Sequence, residues 1–158
     1  MPKIIFELEE FVELITRSPA DWRPLVFTNG CFDLIHVGHV RYLQSAKALG
    51  KTLVVGLNSD RSVQELKGKS RPIVPEEQRA EVMAALKPVD AVIIFPEATA
   101  IKTIKAIAPD FYAKGGDYSM ENLPEAPTVR EYGGKIALVQ IEIPSSTTNI
   151  VKRILAMQ

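Results

Sequence analysis

Several things are scarce in this chain. Its 158 residues include one cysteine, Cys31, and two histidines, His36 and His39. A single cysteine excludes an internal disulfide and fits a reducing cytoplasm. Neither sign of charge is in excess: 19 Lys and Arg stand against 19 Asp and Glu. No general attraction to nucleic acid or to a membrane surface is therefore expected. No apolar run approaches the ~20 residues that cross a bilayer. The first ten residues are acidic and lack the apolar stretch of a signal peptide. The expectation is a cytoplasmic protein forming a single domain over 1–158, large enough to bury a core. Two glycine signatures of nucleotide binding are also missing. Gly30 and Gly38, with Phe32 and Asp33 between them, do not make G-x-G-x-x-G. Lys67-Gly68-Lys69-Ser70 lacks the upstream glycine of a P-loop and follows a helical pattern instead of a strand. A nicotinamide dehydrogenase and a P-loop enzyme are thereby disfavoured.

What is present alternates. Leu8, Phe11, Val12, Leu14 and Ile15 make a helical stripe that stops at Ser18-Pro19, an N-terminal helical extension over 1–20. A core over 24–155 follows. Apolar runs at 24–28, 52–57, 91–95, 110–113 and 135–141 read as five strands. Helical patterns lie between them at 37–49, from Asn58-Ser59-Asp60 to Leu66, from Pro75 to about Pro88, and at 99–108. A proline-broken helix is expected within 119–133 and a closing helix over 145–156. Strands that are nearly continuous apolar runs belong to a parallel sheet covered on both faces. The predicted fold is α/β, a doubly wound Rossmann-like parallel sheet in a three-layer α/β/α sandwich. In such sheets ligands sit beyond the carboxyl ends of the strands.

The residues that carry chemistry fall there. Both histidines belong to the stretch from Thr28 to His39, between the first strand and the first crossover helix. Residues three apart share a helix face, so both imidazoles should point one way beside free N–H groups of the helix start. A purely structural cap is one explanation. A metal site is another, and would need Cys31 or Asp33 as partners. The favoured one is stabilisation of a phosphoryl group at a positive helix end. Ser145 to Thr148 place four hydroxyls at the last helix start, where one would suffice as a cap; the surplus suits phosphate oxygens. In Lys114-Gly115-Gly116-Asp117-Tyr118 two glycines permit close backbone approach to a ligand. Lys67, Lys69 and Arg71 crowd a glycine- and proline-marked loop that is expected to be flexible and able to close over phosphates. Arg79 is expected either to reach inward or to pair with Glu76.

These residues resemble the cytidylyltransferase-like nucleotidyltransferase family, whose mark is the HxGH turn, here His36-Val37-Gly38-His39. The wider string is similar to the heptose 1-phosphate adenylyltransferase branch. It comprises 28–36, Asn58-Ser59-Asp60, Leu66-Lys67-Gly68, Arg71-Pro72, 114–118 and 146–150, in order over about 24–155. The resemblance implies transfer of AMP from ATP to a heptose 1-phosphate, giving ADP-heptose, a lipopolysaccharide precursor, and pyrophosphate. It implies His36, His39 and Lys67 as catalytic groups and Mg²⁺ arriving with ATP, with no protein ligands of its own. Asn29, Gly30, Cys31, Phe32, Gly38, Arg79, Gly116, Asp117, Ser146, Thr147 and Thr148 are then expected at the nucleotide. Asp33, Asp60, Arg71 and Lys114 are expected at the sugar phosphate, with Asp33 and Asp117 as acceptors of sugar or ribose hydroxyls. Cys31 would act through its backbone and need not be reactive. Glycerol-phosphate and choline-phosphate cytidylyltransferases carry an arginine and a glycine ahead of the Ser-Thr cluster; Ile143-Pro144-Ser145-Ser146 has neither. The branch often has Asp or Gly where Lys69 stands, which makes Lys69 a poor candidate for an essential role. A freestanding enzyme and a homodimer are also implied, the kinase domain often fused upstream in such proteins being absent. The alternatives are a sister transferase acting on another phosphorylated alcohol or flavin, and a non-catalytic nucleotide-binding module.

Overall fold

Alternate residues of each strand enter opposite cores, which is how a sheet buried on both faces must be built. The computed structural model describes residues 4–116, 119–141 and 146–158. Strands β1 (Ile5–Phe6), β2 (Leu25–Gly30), β3 (Thr52–Asn58), β4 (Ala91–Phe95), β5 (Phe111–Gly115) and β6 (Lys135–Val139) form one six-stranded sheet. Its order is β1-β4-β3-β2-β5-β6, and the pairs are parallel. Leu25, Phe27, Val54, Ile93, Phe95 and Tyr112 face one core with Phe11 and Ile15 of α1 (Leu8–Arg17), Ile104 and Ile107 of α6 (Ile101–Ile107), and Val129 of α7 (Ala126–Glu131). Val26, Leu53, Val55, Leu57, Val92 and Ala113 face the other. There they meet Leu43 and Ala46 of α3 (Val37–Lys47) and Ala80 and Met83 of α5 (Glu76–Ala84). The predicted three-layer fold is what forms.

The remaining elements are α2 (Pro19–Trp22), α4 (Asp60–Lys67), a 3₁₀ turn at Met120–Asn122, and α8 (Thr147–Leu155). Each of the five predicted strands and every long helix falls within a few residues of its expected place. The difference lies at the start. Residues expected as an appended helical extension are built into the body: β1 pairs with β4, and Phe11 is fully buried. Two residues are too few to show a period, so Ile5–Phe6 carried no strand signal.

Connectivity positions the site. From β2 the chain winds outward through β3 to β4, then returns to lay β5 and β6 on the other side of β2. The carboxyl ends of β2 and β5 thus border the crevice where the winding reverses, and ligands of doubly wound sheets bind at such a reversal.

Candidate active site

The turn after β2 is shaped by one strained residue. Phe32 adopts a left-handed backbone (φ 46°), a conformation that costs a non-glycine residue about 1 kcal/mol or more. Its ring folds back over Gly30, where an added Cβ would stand 3.0 Å from the ring. It also packs 5.4 Å from the imidazole of His39. Gly30 is therefore the space that lets Phe32 buttress a histidine.

His36 caps α3 and His39 lies in its first turn. The Gly38 N–H donates to His36 Nδ1 at 3.1 Å, and the His36 N–H donates to His39 Nδ1 at 3.3 Å. The expected free N–H groups are thus partly taken by the histidines themselves. The exchange has a chemical consequence. An imidazole that accepts at Nδ1 carries its hydrogen on Nε2, so each ring is left with one Nε2–H to donate. Burial, then the neighbouring His36 and Lys67, lower the His39 pKa to about 4, and burial lowers His36 as well. At neutral pH this is a pair of uncharged donors, with ring centroids 3.9 Å apart.

On the β3 side the cavity wall is made by the end of α4 and the loop behind it. Lys67 is the last residue of α4, and Gly68 turns the chain with φ 97°. The expected flexible loop is held over its second half. Asp33 accepts from Arg71 Nε at 2.9 Å, from the Ile73 N–H at 2.8 Å and from the Val74 N–H at 2.9 Å. Burial alone would raise the Asp33 pKa, but these donors and the Arg71 charge outweigh it, and the net direction is down. Asp33 borders the cavity, yet its oxygens are engaged by the loop and not left for a sugar or ribose hydroxyl.

Arg79 and Asp60 are placed away from the cavity lining. Arg79, 1% exposed, donates from Nε to the Val74 carbonyl, from Nη1 to the Cys31 and Asn58 carbonyls, and from Nη2 to Asp60 at 2.7 Å. It ties the end of β3, the turn and the loop together. The alternative Arg79–Glu76 pair does not form; Glu76 accepts from the Asp60 N–H.

The β5–β6 side differs in kind. Lys114 near the end of β5 donates to the Asn29 carbonyl at 3.3 Å, and its pKa is lowered by burial, with Glu125 opposing. Asn29 borders the cavity too, its side-chain oxygen accepting from Tyr112. Ser146 caps α8 by accepting from the Asn149 N–H, and Thr147 donates to the Leu34 carbonyl at 3.0 Å. Gly116 is exposed with φ 93° and lies outside the lining. Asp117 and Ser145 lie outside the described residues.

These elements enclose a cavity of about 290 Å³. Of the expected residues it is bordered by Asn29, Gly30, Cys31, Phe32, Asp33, His36, Gly38, His39, Lys67, Arg71, Lys114, Ser146, Thr147 and Thr148. Gly115, one of the two glycines expected to admit a ligand, borders it as well, and so do Tyr42 and Ile141, which were not foreseen. Tyr42 follows His39 by three on α3, so the face carrying the histidines already pointed to it. Its hydroxyl donates to the Ala113 carbonyl and pairs with Thr28 Oγ1 at 2.6 Å, locking α3 onto β2 and β5. Burial raises the Cys31 thiol pKa, which leaves it a poor nucleophile. Among the described residues no three of His, Cys, Asp or Glu gather to hold a metal. Three cations, two neutral donors and a hydroxyl-rich helix start instead suit a polyphosphate, which could bring a cation of its own.

Comparison with known proteins agrees with this chemistry. The family model described as cytidylyltransferase-like matches residues 27–154. The bifunctional protein HldE of Pelobacter propionicus is 50% identical over 142 residues, 90% of this chain and 29% of that protein. The chain spans less than a third of the length of the curated relatives it matches. The structure of the lipopolysaccharide core biosynthesis protein from Thermoplasma volcanium is 31% identical with a TM-score of 0.62, covering 76% of this chain and 97% of that one. Pantoate-beta-alanine ligase from Francisella tularensis shares the fold at a TM-score of 0.64 and 14% identity, over 95% of this chain and 73% of its own. With its HxGH turn at the carboxyl end of β2 and a match over most of its length, the chain belongs to the cytidylyltransferase-like family of nucleotidyltransferases.

Proposed function

We propose that this nucleotidyltransferase moves AMP from MgATP to a heptose 1-phosphate, giving ADP-heptose and pyrophosphate. The observation that carries the chemistry is the pair of neutral Nε2–H donors facing a cavity bordered by Lys67, Arg71 and Lys114. The choice of heptose rests on the branch-specific string in the sequence. It is supported by relatedness to the HldE proteins and to a lipopolysaccharide core biosynthesis protein.

An oxygen of the sugar phosphate attacks the α-phosphorus. A new P–O bond forms there as the bond to the α,β-bridging oxygen breaks, and pyrophosphate departs with that electron pair. A phosphate monoester has its second pKa near 6, so the nucleophile is already ionised and no general base is needed. Catalysis then reduces to positioning and charge stabilisation. His36 and His39 donate to the α-phosphate and to the bridging oxygen, gaining strength as charge develops there. As neutral groups they need no proton uptake to do so. Lys67 offsets charge between the two substrates, while the start of α8 with Ser146, Thr147 and Thr148 cradles the β- and γ-phosphates. Mg²⁺ enters as part of the nucleotide substrate and supplies charge neutralisation on the polyphosphate. A cytoplasmic setting fits a reaction on soluble phosphorylated substrates, and no helix among the described residues is long and apolar enough to cross a membrane. A homodimer is proposed on the family resemblance alone.

The test is pyrophosphate release with ATP and with CTP, each with D-glycero-β-D-manno-heptose 1-phosphate and Mg²⁺. Rapid release with ATP only is the expected result. Release with CTP alone would overturn the nucleotide, and silence with both would overturn the acceptor.

A further inference from the structure

Two arginines lie close to the turn after β2, and they are used in opposite ways. Arg79 is taken up by the fold: Nε and both terminal nitrogens have protein acceptors, and the side chain is fully buried away from the cavity. Arg71 is half-used. Its Nε donates to Asp33, but the four N–H groups on Nη1 and Nη2 have no acceptor among the described residues. Its side chain is only 14% exposed, and it borders the cavity. A mostly buried arginine side chain whose two terminal nitrogens are left open at a cavity wall suits an anion.

The group that holds it there is unusual too. The Asp33 side chain is 1% exposed, and its two oxygens collect Arg71 Nε together with the backbone N–H groups of Ile73 and Val74. Asp33 thus fixes the loop backbone on one side and the guanidinium on the other. The pairing goes through Nε rather than through the terminal nitrogens, so the carboxylate orients the fork without occupying it.

Position assigns the anion. Arg71 and Lys67 come from the β3 side of β2, Lys114 and the α8 start come from the β5–β6 side, and the histidines stand between. In-line displacement requires the incoming oxygen and the departing pyrophosphate on opposite sides of the α-phosphorus. A helix start with successive hydroxyls suits an extended polyphosphate. A two-pronged fork suits a single phosphate dianion. We infer that Asp33 is a positioning residue, holding Arg71 through Nε so that Nη1 and Nη2 receive the phosphate of the acceptor. This rests on the phosphoryl-transfer reading above and adds which wall takes which substrate.

The experiment compares wild type with Asp33→Asn, Arg71→Gln and Arg71→Lys, in kinetics and in calorimetric titration with inorganic phosphate in the presence of a non-hydrolysable ATP analogue. Arg71→Gln and Asp33→Asn should each raise the acceptor KM and the phosphate Kd by about tenfold, the loss of a charge-assisted hydrogen bond. The ATP KM and the analogue Kd should move less than about twofold on the same scale. The double variant should be little worse than either single one, because the two residues act as one unit. Arg71→Lys should fail to rescue, since a point charge cannot hold Asp33 and present a fork together. Equal losses for both substrates, or fully additive effects, would overturn the inference. Circular dichroism identifies a misfolded Asp33→Asn, in which case Arg71→Gln alone decides, its prediction being unchanged. Should wild type make no ADP-heptose while the phosphate titrations follow this pattern, the heptose assignment fails and the positioning role stands.

Discussion

The two walls of the cavity carry similar cations by different constructions. On the β3 side, Asp33 and Arg79 are buried charges with many partners, and they pin a loop that composition alone would make mobile. On the β5–β6 side, Ser146 and Thr147 hold α8 by single hydrogen bonds, and none of the residues of α8 is buried. Buried, fully partnered charges are costly to displace, whereas a helix start with hydroxyls adjusts by rotation about one bond. The first construction suits a receptor with one geometry, the second a flexible chain of phosphates. Both walls meet at the histidine turn, which therefore should be the most sensitive point.

The comparison can be broken or sharpened in order of expected effect. His39→Ala removes the donor shared by both walls and should cut kcat by about 10²–10³-fold, the usual cost of one transition-state donor. The melting temperature should stay within a few degrees, and an unchanged kcat would end the role given to the pair. Next, Arg79→Met strips partners from three carbonyls and Asp60 and should destabilise by about 3–5 kcal/mol, lowering Tm by about 10 °C. A melt close to wild type would mean the β3 wall is not pinned as described. The reverse side should respond more mildly. Ser146→Ala should cost about 1 kcal/mol of helix stability and raise the ATP KM about threefold, as loss of one neutral hydrogen bond does. A change in Tm alone would reduce Ser146 to a cap.

A pH titration probes the turn itself. Unfolded, a histidine binds a proton near pH 6.5, while folded His39 declines it until about pH 4. The unfolded state therefore holds more protons in that window, and stability should fall as pH drops from 6.5 toward 4. Thermal melts of wild type and His39→Gln should differ in slope across this range. Asp33, whose pKa is lowered, adds a further loss as pH falls below the ordinary carboxylate range. The smallest effect is reserved for Cys31→Ser, which should leave activity within about twofold, the thiol being no nucleophile and the replacement nearly isosteric.

How much of this was legible beforehand depends on the distance over which each feature is decided. The HxGH turn, the Ser-Thr helix start and the strands they follow are local patterns, and they stand where the sequence put them. Tyr42 was legible in principle, three residues beyond His39 on the same helix face. Asp33, Asp60 and Arg79 were not, because their side-chain partners lie 38 to 41, 19 and up to 48 residues away. A charged residue near a site looks the same in sequence whether its charge meets a ligand or a distant carbonyl.

The sequence by itself determined the alternation of strand and helix, the phosphate-binding character of the crevice and the residue types that surround it. Hydrophobic period, turn chemistry and motif spacing are properties of neighbours along the chain. Only the tertiary structure decided which of those polar groups remain available. Folding gave Asp33 and Arg79 their distant partners, put the histidine protons on Nε2 and left the Arg71 fork without an acceptor among the described residues. Such choices follow from the rule that buried polar groups must be paired, and pairing is settled by the folded chain.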